Sequence, residues 1–159
     1  TLEVAWGQAD GGFVASKEWG RLILDPYGEQ KVVVRDIDGD RAVDVLSTGF
    51  LGLYLQRGTA DRGALGGPRL VRAGVTAATV ADVDGDGPLE VVAASGELGD
   101  VTLHLGRTSD SGLVFRSRTV PMSGQGELSE VVVGRFDDDE AQDVAVVGEK
   151  GMTIVRQSP

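Results

Sequence analysis

Two short stretches of this chain carry carboxylates at alternate positions: Asp36, Asp38, Asp40 and Asp44 in DIDGDRAVD, and Asp82, Asp84, Asp86 and Glu90 in DVDGDGPLE. Oxygen donors at the first, third, fifth and ninth positions of a tight turn can converge on one point, and such a set suits a hard cation. Ca²⁺ takes six to eight oxygens at about 2.3–2.6 Å, so a backbone carbonyl at position seven and water would complete the shell. Ala42 and Pro88 hold that carbonyl position. Gly39 and Gly85 stand between the second and third carboxylates, where the chain must bend sharply and a positive φ costs glycine little.

The main competing reading is a helix-flanked calcium loop, which needs a bidentate glutamate at position twelve. Ser47 and Ala93 stand there, and both flanks are rich in valine. A third stretch, VVVGRFDDDEAQDVAV from Val131 to Val146, departs from the pattern. Arg135 replaces its first aspartate and Asp138 replaces its glycine, leaving Asp137, Asp139 and Asp143 as candidate ligands. A guanidinium there can pair with neighbouring carboxylates in place of a metal. The third turn therefore reads either as a weak metal site or as one closed by its own arginine. Aspartate and glycine also enrich ordinary turns; recurrence in phase is what argues for the cation.

The elements that must hold these turns are strands. Each turn lies between two apolar runs, and a second set of segments recurs in step with it: LEVAWGQAD (Leu2 to Asp10), LGLYLQRGTAD (Leu51 to Asp61), DVTLHLGRTSD (Asp100 to Asp110) and GMTIVRQSP (Gly151 to Pro159). Three of them lead into another β-prone stretch, at Phe13 to Trp19, Pro68 to Val71 and Leu113 to Val120. No window carries a 3.6-residue apolar period, and glycine-rich punctuation bounds every run. The expectation is an all-β chain of about three four-stranded β-propeller blades plus one strand, with units near 2–50, 51–99 and 100–150 and another starting at 151–159. A β-sandwich is the rival, but its strands need not recur in register with a turn. Closed propellers use about four to eight blades, so this segment is expected to belong to a larger propeller or one completed by oligomerisation.

On DIDGDRAVDV (Asp36 to Val45), DVDGDGPLEV (Asp82 to Val91) and FDDDEAQDV (Phe136 to Val144), the chain resembles the FG-GAP and VCBS repeats, propeller blades found in integrin alpha subunits, fungal lectins and bacterial surface proteins. The resemblance implies that Ca²⁺ rigidifies the turn joining two adjacent strands of a blade. The Phe-Gly and Gly-Ala-Pro elements of one branch are not cleanly present, Gly66-Gly67-Pro68 being only reminiscent, so the bacterial VCBS style is nearer.

Composition narrows the remaining choices. The formal charge is −10 and the arginines are dispersed, which disfavours nucleic acid and anionic membranes as partners. No run of 18 apolar residues is present, so no membrane-inserted helix is expected. Without cysteine there is no disulfide, thiolate site or cysteine nucleophile.

Nothing in the chain assembles a recognisable catalytic set. The single histidine, His104, alternates with Leu103 and Leu105 and reads as solvent-facing or lodged between blades. Glu127, Glu130, Glu140 and Glu149 show no acid–base pairing, and Gly63 to Gly67 lack a phosphate-loop lysine. The aromatics Trp6, Trp19, Tyr27, Phe50, Tyr54, Phe115 and Phe136 read mainly as packing, with some offering a surface for sugar stacking. The chain is expected to be a non-enzymatic, calcium-stabilised recognition or adhesion module with a protein or glycan ligand. A structural assembly role and the propeller of a polysaccharide lyase are the alternatives. Modest calcium affinity, about 10⁻⁴ to 10⁻³ M, would place it in an extracellular or periplasmic setting.

Overall fold

The structure is a computed structural model that describes residues 2–3, 6–14, 18–20, 31–49, 51–59, 65–97, 100–109, 112–121 and 127–157. Every regular element among them is a strand. Four short ones open the chain: β1 (Leu2–Glu3), β2 (Trp6–Gly7), β3 (Phe13–Val14) and β4 (Glu18–Gly20). They pair as β1 with β4 and β2 with β3. The run Leu2 to Asp10, expected as one strand, is thus split over two small pairings.

Three larger antiparallel sheets follow. The first contains β5 (Val32–Arg35), β6 (Asp44–Gly49), β7 (Gly52–Gln56) and β8 (Arg69–Ala73), paired in sequence order. The second contains β9 (Ala77–Ala81), β10 (Glu90–Glu97), β11 (Asp100–Ser109) and β12 (Gly112–Pro121), again in order. The third has three strands, β13 (Leu128–Gly134), β14 (Asp143–Gly148) and β15 (Gly151–Val155). Among the described residues no sheet closes on itself. Each acidic turn joins the first and second strands of its sheet.

The continuous apolar run of β10 explains how the sheets stack. A strand buried on one face alternates apolar with polar, whereas one covered on both faces is apolar throughout. Val91, Val92, Ala93 and Ala94 are all fully buried. Val91 and Ala93 join Ile37, Leu46, Leu53, Leu55 and Val80 in a core toward the first sheet. Val92 and Ala94 point the other way, into a core with Leu103, Val131, Val144 and Val146 of the second and third sheets. Full burial of one such valine contributes about 1.5–3 kcal/mol, so the middle sheet is held by its central strand. The first strands are close neighbours, with β9 in contact with both β5 and β13. Lys31, beside β5, forms an ion pair with Glu130 of β13 at 3.3 Å.

His104 lies opposite Ala93 in the register of β10 and β11 and is only 3 % exposed, which overturns its reading as solvent-facing. Its Nε2 is hydrogen-bonded with Ser95 Oγ (3.0 Å) and its Nδ1 with Ser117 Oγ (2.8 Å). Phe115 meets the imidazole edge-on, and Arg72 of β8 lies over the Phe115 ring. A polar triplet thus runs across three strands of the second sheet. Tyr54 is buried and Phe136 is exposed; Tyr27 and Phe50 lie outside the described residues.

Candidate metal centre

The first turn folds around its own leading carboxylate. Asp36 Oδ1 accepts the N–H of Gly39 (2.8 Å) and Asp36 Oδ2 accepts that of Arg41 (2.9 Å). Asp38 accepts from Asp40 N, and Asp40 accepts from Ala42 N at 2.7 Å. Such side-chain-to-backbone bonds let aspartate replace the ladder where the chain reverses. The second turn repeats the first: Asp82 accepts from Gly85 N and Gly87 N, and Asp84 from Asp86 N. Pro88 has no N–H, so the bond Asp40 makes to Ala42 has no counterpart there.

Gly39 (φ 78°) and Gly85 (φ 75°) take the left-handed conformation expected of them. Two residues on, Gly87 does the same at 99°, but its equivalent in the first turn is Arg41 at 73°. Arg41 is the one non-glycine residue with positive φ among the described residues.

These bonds bring Asp36, Asp38 and Asp40 together, each offering an oxygen within 4.8 Å of the others, and Asp82, Asp84 and Asp86 form the same trio. Either trio could hold a metal ion. The third turn forms no such trio among the described residues. Asp137 accepts from Asp139 N and Asp139 from Ala141 N, but Arg135 offers no acceptor to gather the loop. Neither Asp138 nor Glu140 adopts the left-handed backbone of the corresponding residues in the other turns.

The ninth-position carboxylates stand apart from the trios and brace the backbone. Asp44 accepts from Ile37 N (3.0 Å) and from Gly58 N (2.9 Å), and Asp143 accepts from Phe136 N and Gln157 N, both at 3.0 Å. Burial pushes Asp44 above its ordinary pKa, with the charges of Asp38 and Asp40 adding, against the two N–H donors. Glu90 accepts from Val83 N with Oε2 at 2.9 Å. Its Oε1 is buried and has no hydrogen-bond donor, although Arg107 Nε lies 2.9 Å away as a charge partner. The donor set at the second turn thus fits a hard cation: three clustered aspartates beside a buried carboxylate oxygen with unused acceptor capacity.

Three arginines that the acidic spacing did not single out complete the turns. Arg57 reaches Asp38 (3.0 Å), and Arg156 lies 3.6 Å from Asp137. Arg107 contacts Asp84, Asp86 (3.0 Å) and Glu90 (2.9 Å) together. The hydrogen bond to Asp86, with the charges of Glu90 and Asp84, raises the guanidinium pKa above its ordinary value. The sequence carried a partial signal: an arginine recurs in the third-strand run of each unit, in QRG, GRT and VRQ. Beside the second turn opens a cleft of about 560 Å³, where Asp84, Glu90 and Arg107 adjoin Leu103, Leu105 and Val114. No family model, curated protein or solved structure matches the chain.

Proposed function

We propose that this chain is a calcium-stabilised recognition module of the FG-GAP/VCBS type, whose three sheets are successive β-propeller blades. The observation that carries this reading is the paired aspartate trio, placed alike between the first and second strands of the first two sheets. The chemistry selects Ca²⁺: the donors are all oxygens, and the flexible turn suits a large ion with irregular coordination better than Mg²⁺, which demands a near-octahedral shell. Asp36, Asp38 and Asp40 would hold one ion and Asp82, Asp84 and Asp86 the other, with the Ala42 and Pro88 carbonyls and Asp44 or Glu90 at the margin. The ion supplies a rigid, neutralised turn and no reaction. The ligand is a protein or glycan, with the loops and the partly apolar cleft beside the second turn as its surface, in an extracellular or periplasmic setting.

Calorimetric titration with Ca²⁺, together with thermal melts in Ca²⁺ and in EDTA, tests the reading. Binding to the folded state raises stability by mass action, by about 2.7 kcal/mol at one hundred times Kd. Heat of binding and a higher Tm in Ca²⁺ are expected. Absence of both overturns the proposal.

A second reading, assembly into a larger propeller, is favoured by the third sheet, which has three described strands where its neighbours have four. A further strand, from another segment or another copy, would pair beside β15. Native mass spectrometry separates the two readings: a stable monomer argues against obligatory self-assembly.

A further inference from the structure

Where β6 meets β7, Val45 pairs with Gln56; where β10 meets β11, Val91 pairs with Gly106; where β14 meets β15, Val144 pairs with Val155. Extending each register by one residue brings the ninth position level with an arginine: Asp44 with Arg57, Glu90 with Arg107 and Asp143 with Arg156. From that common position each guanidinium reaches an aspartate at the third position of its turn, Asp38, Asp84 or Asp137. Dispersed surface arginines would not arrive three times at one register position with one target.

We infer that Arg57 and Arg107 are resident counter-cations of the first two turns, holding carboxylates that a divalent ion needs and giving them up when it binds. This rests on the reading of those turns as metal sites. A carboxylate oxygen committed to a guanidinium is a poorer ligand, and a guanidinium and a divalent cation at one oxygen repel. The side chains of Arg57 and Arg107 are about half exposed, at 45 % and 47 %, so each guanidinium can swing into water, and the incoming ion then takes over the charge of the largely buried Asp38 and Glu90 that they leave. In the absence of metal the arginines offset the repulsion among clustered aspartates. They thereby set the affinity of each turn and keep the metal-free form folded.

The two turns are held unequally. Arg107 engages Asp84, Asp86 and Glu90, including the buried Glu90 Oε1 that has no other partner. Arg57 engages Asp38 alone and leaves the Asp36 and Asp40 side chains to the turn. The first turn therefore loads at lower calcium than the second. In the third turn Arg156 has a partner in Asp137 but no trio to guard.

Calcium titration by calorimetry of the full chain and of Arg107→Gln and Arg57→Gln tests this, with Asp82→Asn assigning the heat that belongs to the second turn. Removing Arg107 is expected to tighten calcium at the second turn by about tenfold, and removing Arg57 to tighten the first by about threefold, as suits exposed pairs of modest strength. Melts in EDTA are expected to show both variants less stable than the parent, with the difference abolished in saturating Ca²⁺. Heat that appears in Arg107→Gln where the parent gives little also supports the inference, since the arginine then excludes the ion. Parent-like affinity in both variants overturns it while leaving the calcium reading intact. No heat in the parent or in either variant overturns both. Arg107→Lys keeps a charge but loses the forked contact, and is expected to fall between parent and Arg107→Gln, which guards against a folding defect in the glutamine variant.

Discussion

Asp44 and Gly58 are joined by a 2.9 Å hydrogen bond from the glycine amide to the carboxylate, and the same carboxylate takes the Ile37 amide on its other oxygen. One side chain thus ties the floor of the acidic turn to the chain leaving β7. Asp143 makes the corresponding pair of bonds to Phe136 and Gln157. The third turn, which has lost its leading aspartate, keeps this brace. The brace and the trio are separable, and the brace belongs to the sheet.

Asp44→Asn is therefore expected to destabilise the protein even in EDTA. Asparagine offers one acceptor oxygen in place of two, so a buried amide loses its partner, at a cost of about 1–3 kcal/mol. The raised pKa of Asp44 partly offsets this, because the neutral amide avoids the desolvation penalty of the carboxylate. Urea unfolding in EDTA checks it, and Asp143→Asn is expected to behave alike. A change confined to calcium-loaded protein would instead make Asp44 a ligand only.

Arg41→Gly is expected to stabilise the first turn. Arg41 sits at φ 73° with its N–H bound to Asp36, in the conformation its glycine counterpart, Gly87, takes at 99°. A left-handed conformation costs an L-residue roughly 1–2 kcal/mol, and glycine avoids most of it. The extra chain entropy of glycine when unfolded subtracts from the gain, so a net gain of about 0.5–1 kcal/mol is expected from denaturant melts. A loss of stability would show that the arginine side chain contributes more than its backbone costs.

His104 gives the fold a dependence on pH. Burial, helped by the positive charge of Arg72, lowers its pKa from 6.5 to about 4. The unfolded chain then takes up a proton that the folded chain refuses, so stability is fully present above pH 6.5 and falls as pH drops from 6.5 toward 4. The slope approaches one proton, about 1.4 kcal/mol per pH unit. Chemical denaturation between pH 7 and 5, run on the parent and on a histidine variant, isolates the contribution of His104. His104→Gln, which can still hydrogen-bond with Ser95 or Ser117, is expected to flatten that segment of the curve. An unchanged slope would sink the assignment.

How much of this could be read from the sequence depended on whether an interaction was local. The turns were legible because Asp36, Gly39 and Arg41, or Asp82, Gly85 and Gly87, act on one another within six residues, and glycine marks the left-handed positions. The strands of the larger sheets were legible for the same reason. His104 was left between a solvent-facing and an inter-blade reading because alternation along one strand shows which residues share a face, not whether another sheet covers it. Ala93 opposite it and Phe115 beside it settle that only through pairing. Arg57 and Arg107 escaped notice because they meet their aspartates across strands, 19 or more residues away in the chain. Glu90 shows the opposite limit: spacing placed it beside the trio, but only the fold buries it against Arg107.

The third turn offers the most demanding test of what makes a trio. It retains Asp137, Asp139 and the Asp143 brace, and it lacks two things the others share: an acceptor at position one and a residue free to take positive φ at position four. If those two features gather the carboxylates, then Arg135→Asp combined with Asp138→Gly is expected to create a third calcium site. The double change swaps one positive charge for a negative one and removes another negative charge, so the turn becomes more acidic by one unit overall. Arg135→Asp alone supplies the acceptor but forces Asp138 into a strained backbone, and is expected to bind more weakly. Asp138→Gly alone frees the turn but leaves Arg135, which offers no acceptor, at position one. Calorimetric stoichiometry reads the outcome directly: one additional equivalent in the double variant and none in Asp138→Gly. Should the double variant bind no more than its parent, those two positions alone would not explain the first two turns; Asp143 is as buried as Asp44 and Glu90, so the sixth position, where Arg41 and Gly87 take positive φ and Glu140 does not, would have to carry the difference.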